Sequence, residues 1–347
     1  MKAEDMAMEI SVSRLFTNEL LQKALRLFAA TEKEPKMLGD FETYIFEVYQ
    51  NGSPFILRLT HSSHRTKEQI ESELDWLNFL SGQKINVCYA IPSVNGNYVE
   101  ALASEDTFFF ASLFKKANGG MVKTKSENFN DALFYEWGKL VGKMNRVTKT
   151  YRKPSSIGKR PEWDEEDFIF IEKYFPADDK LLLEKGKALL QQVQQLDKHP
   201  DCYGLIHSDV HQGNFFVENG KIELFDFDDC SYHWFASDIA IPIYYAVWYK
   251  MPFEAKENRS NFAQNFATQF LKGYYTENEL DPYWLQQLPL FLKLRDLVLY
   301  SVFHKKEDLS TADEKLLKFL SDIRHRLLLN EPIADLNIEL ILKEIGI

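Results

Sequence analysis

The stretch from Gly204 to Asp229, GLIHSDVHQGNFFVENGKIELFDFDD, holds the residues whose types and spacing could do chemistry. Asn219-Gly220, between Phe215 to Glu218 and Lys221 to Phe225, is the strongest short hairpin signal and predicts a two-residue loop. With Glu218 paired to Lys221, counting outward sets Asn214 opposite Phe225 and Asp226 beside Asn214. An amide oxygen and a carboxylate held side by side are oxygen ligands of the kind hard Mg²⁺ takes, with phosphate oxygens and waters completing an octahedron. Asp209 lies on the loop that enters the hairpin, where its carboxylate could receive the proton of an attacking hydroxyl. Base and metal would share one loop.

The elements that must position these groups can be read from periodicity and turns. A helix near Thr17 to Ala30 opens the chain, and Tyr44 to Tyr49, Asn51-Gly52 and Phe55 to Thr60 form a second hairpin pattern. In His64 to Leu80, the residues Ile70, Leu74, Leu77 and Leu80 recur at helical spacing, with Glu73 inside the stripe. Ile85 to Ile91, Tyr98 to Ala103 and Thr107 to Leu113 read as three more strands, which makes a five-stranded sheet with one helix. Lys115 to Gly120 has linker chemistry. Stripes at Leu133, Trp137, Leu140, Val141 and Met144, and at Leu182, Leu189, Val193 and Leu196, make the remainder mostly helical. An α+β chain of two lobes follows, residues 1–114 and 115–347, with a cleft available between them.

The pattern His207-x-Asp209-x-x-x-x-Asn214 followed by Asp226-Phe227 resembles the catalytic and metal-binding loops of the protein-kinase-like superfamily. With Ser208 after His207, and Asp228-Asp229 after Phe227, it looks most like the aminoglycoside phosphotransferase, choline kinase and homoserine kinase group, over about Leu38 to Val247. The resemblance implies a Mg²⁺-dependent transfer of the γ-phosphate of ATP, or of GTP, to a hydroxyl of a small molecule. It makes Asp209 the catalytic base, Asn214 and Asp226 the metal ligands, and His207 and Asp238 the scaffold of the loop. Arg58 stands where the group expects the phosphate-binding cation, usually Lys, and Glu73 is its natural partner, since an unpaired carboxylate facing a core is costly. Phe108 to Leu113, including Phe110 and Leu113, would be the strand that meets the adenine, and its aromatic run could equally be sheet core. The phosphate-covering segment Leu38-Gly39-Asp40-Phe41-Glu42 departs from the protein-kinase glycine pattern, with one glycine in place of three.

Plainer readings stand beside these. Asp209 and Asn214 could cap turns, Ser237-Asp238 could cap the helix from Ile239, and Glu73 could reach solvent. No activation segment or Ala-Pro-Glu anchor follows Asp229, which disfavours a protein acceptor. Asp228 and Asp229, together with Trp163 and the acids Asp164 to Asp167, suit a cationic amine or amino alcohol, although those acids also suit a helix's first turn. Two rival classes remain: a noncatalytic binding or scaffold protein of the same fold, motivated by Arg58 and the glycine-poor segment, and a zinc hydrolase using His207, Asp209 and His211. No second histidine cluster completes the zinc set.

Composition narrows the field. A net charge of −11, from 41 basic and 52 acidic residues, argues against a nonspecific nucleic-acid binder, which needs a basic face. Cys88, Cys202 and Cys230 match neither a disulfide framework nor a zinc spacing, as expected in a reducing cytosol. Met1 to Arg14 lacks the apolar run of a secretory signal, and the apolar stretch Ile239 to Tyr249 is too short for a bilayer, so no membrane partner is expected.

Overall fold

The computed structural model describes residues 9–40 and 42–347. Residues 1–8, and Phe41 at the centre of the glycine-poor segment, lie outside the described residues. The chain divides into two compact units. The first runs to Asn118 and takes in Tyr151–Arg160 and Glu223–Asp228; the second holds Gly119–Thr150, Pro161–Ile222 and Asp229–Ile347.

In the first unit, α1 (Ile10–Ser13) and α2 (Asn18–Leu27) precede β1 (Lys36–Gly39), β2 (Thr43–Gln50) and β3 (Ser53–His61). Helix α3 (Lys67–Gly82) and strands β4 (Ala90–Ile91), β5 (Glu100–Ser104) and β6 (Thr107–Lys115) follow. The strands form one antiparallel sheet in the order β1-β2-β3-β6-β4, with β5 also pairing β6. Asn51 (φ 50°) and Gly52 (φ 76°) both occupy the left-handed region, the signature of the two-residue turn whose twist matches its flanking strands. Leu25 and Phe28 join Phe46, Val48, Leu57, Leu59 and Leu113 in one hydrophobic cluster.

The sheet has six strands, where periodicity predicts five. Lys36–Gly39 pairs with β2 through a bulge between Met37 and Gly39, an irregularity that hides the alternation of a regular strand. Ile85 to Ile91 contracts to the two residues of β4, because its earlier backbone groups find another partner. Asn86 C=O accepts from Leu224 N–H at 3.0 Å, and Cys88 N–H donates to Leu224 C=O at 2.9 Å.

Helix α3 begins with a capping box, Thr66 with Gln69, and buries Ile70, Leu74, Leu77 and Leu80. Glu73 lies among them, fully buried.

The second unit contains α4 (Asp131–Thr148), α5 (Ile171–Tyr174), α6 (Lys180–Gln194), β7 (Tyr203–Ile206), β8 (Phe215–Glu218), the start of β9 (Lys221–Leu224) and β10 (Ser231–Trp234). Helices α7 (Phe235–Lys250), α8 (Lys256–Tyr275), α9 (Pro282–Gln286), α10 (Leu288–Lys306), α11 (Glu314–Leu329) and α12 (Ile338–Ile345) complete it. Strands β8 and β9 make a two-stranded sheet around Asn219 (φ 51°) and Gly220 (φ 75°), again both left-handed. Trp163 is buried against His233 and Trp234, at ring distances of 5.7 Å each, so it serves the core and offers no face to a substrate amine. Among the described residues no helix is long and apolar enough to cross a membrane.

Candidate active site

The loop from His207 to Asn214 joins β7 to β8, and its entrance is tied down by β10 and α7. Ser231 pairs with Ile206 across β10 and β7, and the Ser208 and Ser231 hydroxyls share a hydrogen bond of 2.8 Å. Ser208 has φ 66°, a strained value that persists only where neighbours enforce it. Its N–H donates to Asp238 Oδ1 at 3.3 Å, and Asn145 Nδ2 donates to Asp238 Oδ2 at 3.2 Å. Asp238 lies inside the first turn of α7, which starts at Phe235, and so is not the cap of a helix from Ile239. Burial pushes its carboxyl up to about 7, against the pull of hydrogen bonds from Asn145 and the backbones of Ser208 and His207. His207 is buried, and its Nδ1 accepts from Asp209 N–H at 3.3 Å.

Both oxygens of Asp209 are engaged. Arg295 Nη2 donates to Oδ1 at 2.5 Å, while Asn214 Nδ2 at 3.0 Å and His211 Nε2 at 3.2 Å meet Oδ2. Gly213 N–H donates to His211 Nδ1 at 2.9 Å, which leaves the ring proton on Nε2, facing the carboxylate. Burial alone would raise the Asp209 carboxyl, but His211 and the charge of Arg295 outweigh it and hold the group well below the usual carboxylate range. A carboxylate so held is a weak proton acceptor and a strong orienting group. Phosphoryl transfer tolerates this, because its loose transition state asks for positioning before proton removal.

Arg295 also donates to Tyr245 Oη and lies over that ring at 4.9 Å, while its Nε is buried with no hydrogen-bond partner among the described residues. The His211 ring lies 4.7 Å from Tyr245 and 6.3 Å from Tyr249. These aromatic and cationic neighbours of Asp209 escaped sequence reading. The sequence marks His211 only as a zinc-ligand candidate, and Arg295 lies 86 positions from Asp209 with no spacing signal to link it.

In the first unit Arg58, on β3, and Glu73, on α3, meet in a bidentate pair at 2.9 and 2.6 Å, both side chains almost fully buried. Burial opposes the charge on Arg58, yet Glu73 and Asp228 raise its pKa further. Its guanidinium lies 4.8 Å from the Phe114 ring and 3.9 Å from Asp228 Oδ1. Asp228 Oδ2 accepts from His64 Nε2 at 2.9 Å and Arg65 Nε at 3.1 Å. Burial would raise the Asp228 carboxyl, but Arg65, His64 and Arg58 carry it well below its ordinary value. Arg65, Arg58 and His64, all of its own unit, thus surround the Asp228 carboxylate. Asp229, by contrast, lies in the second unit, and its charge acts on Arg295.

Leu113 is fully buried in the sheet cluster, paired with Leu57 and Ile91, so its side chain contributes to the core. Phe110 is almost as buried and stacks on Phe108 at 6.4 Å.

The metal assignment can be tested on donor chemistry. Asn214 turns its amide nitrogen to Asp209, at both the carbonyl (2.9 Å) and the carboxylate, which directs its amide oxygen away from them. Asp226 brings a carboxylate on a left-handed backbone, φ 63°. Each is an oxygen donor of the kind a hard divalent cation takes. His207, Asp209 and His211 do not converge into a three-ligand cluster among the described residues, which removes the zinc set. Glu42, His64 and Asp228 do approach within 4.8 Å, but Arg58 and Arg65 already serve Asp228, and their charge opposes a cation there.

A sheet unit with a buried Arg–Glu pair, and a helical unit with an Asp–Asn loop ahead of a hairpin, define a protein-kinase-like phosphotransferase. Residues 37–282 match the model of the Phosphotransferase enzyme family, and the chain belongs to that family. It is 36% identical over 325 residues to amicoumacin kinase of Bacillus subtilis (strain 168), a match covering 93% of this chain and 96% of that one. The solved structure of amicoumacin kinase hAmiN in complex with AMP-PNP, Ca²⁺ and Ami is similar at a TM-score of 0.90 and 35% identity, over 96% of this chain and 100% of that one. The microcompartment-associated aminopropanol kinase, at 20% identity, shares the fold with a TM-score of 0.72 over 95% of this chain and 99% of that one. The protein is a small-molecule kinase that uses ATP, and neither the noncatalytic nor the hydrolase reading is favoured.

Proposed function

We propose that this kinase transfers the γ-phosphate of ATP to a hydroxyl of an amine-bearing small molecule of the amicoumacin or amino-alcohol type. The observation that carries the reading is the fully engaged Asp209, held as a carboxylate beside Asn214 and fringed by His211, Tyr245 and Tyr249. The first unit would bind the nucleotide, with Arg58 and Glu73 as its phosphate-side pair, and the strand carrying Phe110 and Leu113 would offer the base its backbone alone. The second unit would carry the catalytic loop and the acceptor. Aromatic faces suit a protonated amine through cation–π attraction, and Asp229 adds negative charge on that side.

Asn214 and Asp226 would hold Mg²⁺, which when bound neutralises charge developing on the phosphates. Asp209 would orient the acceptor hydroxyl and take its proton late. His207 and Asp238 would keep the loop in place. Cys88, Cys202 and Cys230 are buried and none is in a disulfide among the described residues, which suits a reducing cytoplasm.

The test is ADP release with ATP or GTP as donor and amicoumacin A, 1-amino-2-propanol, choline and spectinomycin as acceptors, with mass spectrometry of the product. One acceptor should gain a single phosphoryl group, and chelation of divalent metal, Asp209→Asn or Asp226→Asn should each abolish the gain. Turnover that survives Asp209→Asn would end the assignment of the base.

A further inference from the structure

Arg160 lies far in sequence from the catalytic loop and the hairpin, and it has no exposed surface. It ends the segment Tyr151–Arg160, which packs in the first unit although the chain on both sides of it belongs to the second. The segment is moored at its start, where Tyr151 Oη donates to Asp75 Oδ2 at 2.6 Å and the Tyr151 ring meets Phe79 at 5.1 Å. At its end, Arg160 Nη1 donates to the carbonyl of Gln69 at 3.1 Å, and Nη2 donates to the carbonyl of Asp228 at 2.5 Å. Gln69 lies one helical turn before Glu73 on α3, and Asp228 lies two residues after Asp226. One planar group therefore spans the helix that aims Glu73 at Arg58 and the segment that carries the Asp226 carboxylate.

Stability does not by itself call for arginine here, since a buried cation is expensive to desolvate and well-packed apolar residues often serve as well. Geometry does. Asp226 holds a left-handed backbone, which a residue with a side chain keeps only where its surroundings over-determine it. The edge contact of Trp76 with Phe227, at 5.5 Å, supplies an apolar link across the same junction. A ring contact tolerates sliding, whereas two hydrogen bonds from a rigid fork fix register.

We propose that Arg160 is a positioning residue for nucleotide and metal, locking α3 to the Asp226–Asp228 segment so that the Arg58–Glu73 pair and the metal-side carboxylate are set by one guanidinium. This rests on the proposed metal role of Asp226 and is independent of the acceptor's identity.

The experiment titrates the full-length protein with AMP-PNP, with and without Mg²⁺, and reads the factor by which Mg²⁺ tightens binding. In Arg160→Met that factor should fall about tenfold, the usual effect of removing a group that orients a metal ligand. Arg160→Lys, which can reach one carbonyl, should fall between. Gly158→Ala leaves Arg160 intact, but its added Cβ would meet Glu68 Cβ at 3.1 Å and the Glu68 carbonyl at 3.3 Å, pushing the segment and α3 apart by a few tenths of an ångström, and should reduce the factor in the same direction by a smaller amount. If Arg160→Met does not fold, the lysine and Gly158 variants carry the same reading.

A wild-type Mg²⁺ factor retained in these variants overturns the inference, whatever their unfolding temperatures. So does equal weakening with and without metal, which a merely structural role would produce. A wild-type protein whose AMP-PNP affinity ignores Mg²⁺ removes the metal assignment to Asp226, and this inference with it.

Discussion

Removing one partner of the Arg58–Glu73 pair should have unequal effects depending on which partner goes. Breaking a buried ion pair costs about 3–5 kcal/mol, because the survivor is left charged and dry. Arg58→Met strands Glu73, which is fully buried and has no second cation within ion-pair distance among the described residues. Its cost belongs near the upper end, about 5 kcal/mol. Glu73→Leu leaves Arg58 with Asp228 at 3.9 Å and the Phe114 ring at 4.8 Å. At an effective dielectric of 20, a pair at that separation attracts by about 4 kcal/mol. Asp228 already serves Arg65 and His64, so the relief is partial and the cost falls nearer 3 kcal/mol.

Replacing both removes both charges and should cost less than either single change, within about 2 kcal/mol of wild type. Urea unfolding of the four proteins at pH 7, with AMP-PNP affinity alongside, tests the scheme. The double variant should recover stability without recovering nucleotide binding. Additive losses, or a larger cost for Glu73→Leu than for Arg58→Met, would refute the reasoning.

Other outcomes follow from the second unit. Arg295→Met removes a charge-assisted hydrogen bond from Asp209, so kcat should drop about 10- to 100-fold with AMP-PNP affinity unchanged; a parallel loss of nucleotide affinity would contradict the assignment. Asp238 binds its proton more tightly when folded, so its stabilising contribution is full below about pH 4 and lost as pH rises through about 7. Asp238→Asn should therefore flatten the fall in unfolding free energy between pH 4 and 7. Asp228 has the opposite sign: its folded pKa is lowered, so its contribution is present above about pH 4 and disappears as pH falls through the folded value. Asp228→Asn should shrink the acid-side loss of stability, as read by unfolding midpoints across pH.

Much of the local architecture is legible in the chain itself, because turns and stripes depend on neighbours a few residues apart. Asn51-Gly52 and Asn219-Gly220 encode their turns through residues that tolerate left-handed backbone, and Ile70, Leu74, Leu77 and Leu80 mark the buried face of α3 on which Glu73 sits. The spacing of Asp209, Asn214 and Asp226, and the placing of Arg58 one strand ahead of Glu73, are equally local patterns. Tertiary packing alone decided which charge meets which. Arg295 reaches Asp209 across 86 positions, His64 reaches Asp228 across 164, and Arg160 reaches Gln69 across 91. It also made Trp163 a core residue and extended α7 back to Phe235, so that Asp238 faces inward. Periodicity tells which side of an element is apolar. It does not tell which distant group will satisfy a buried charge, because that partner is chosen by the three-dimensional demand that no ion be left dry and alone.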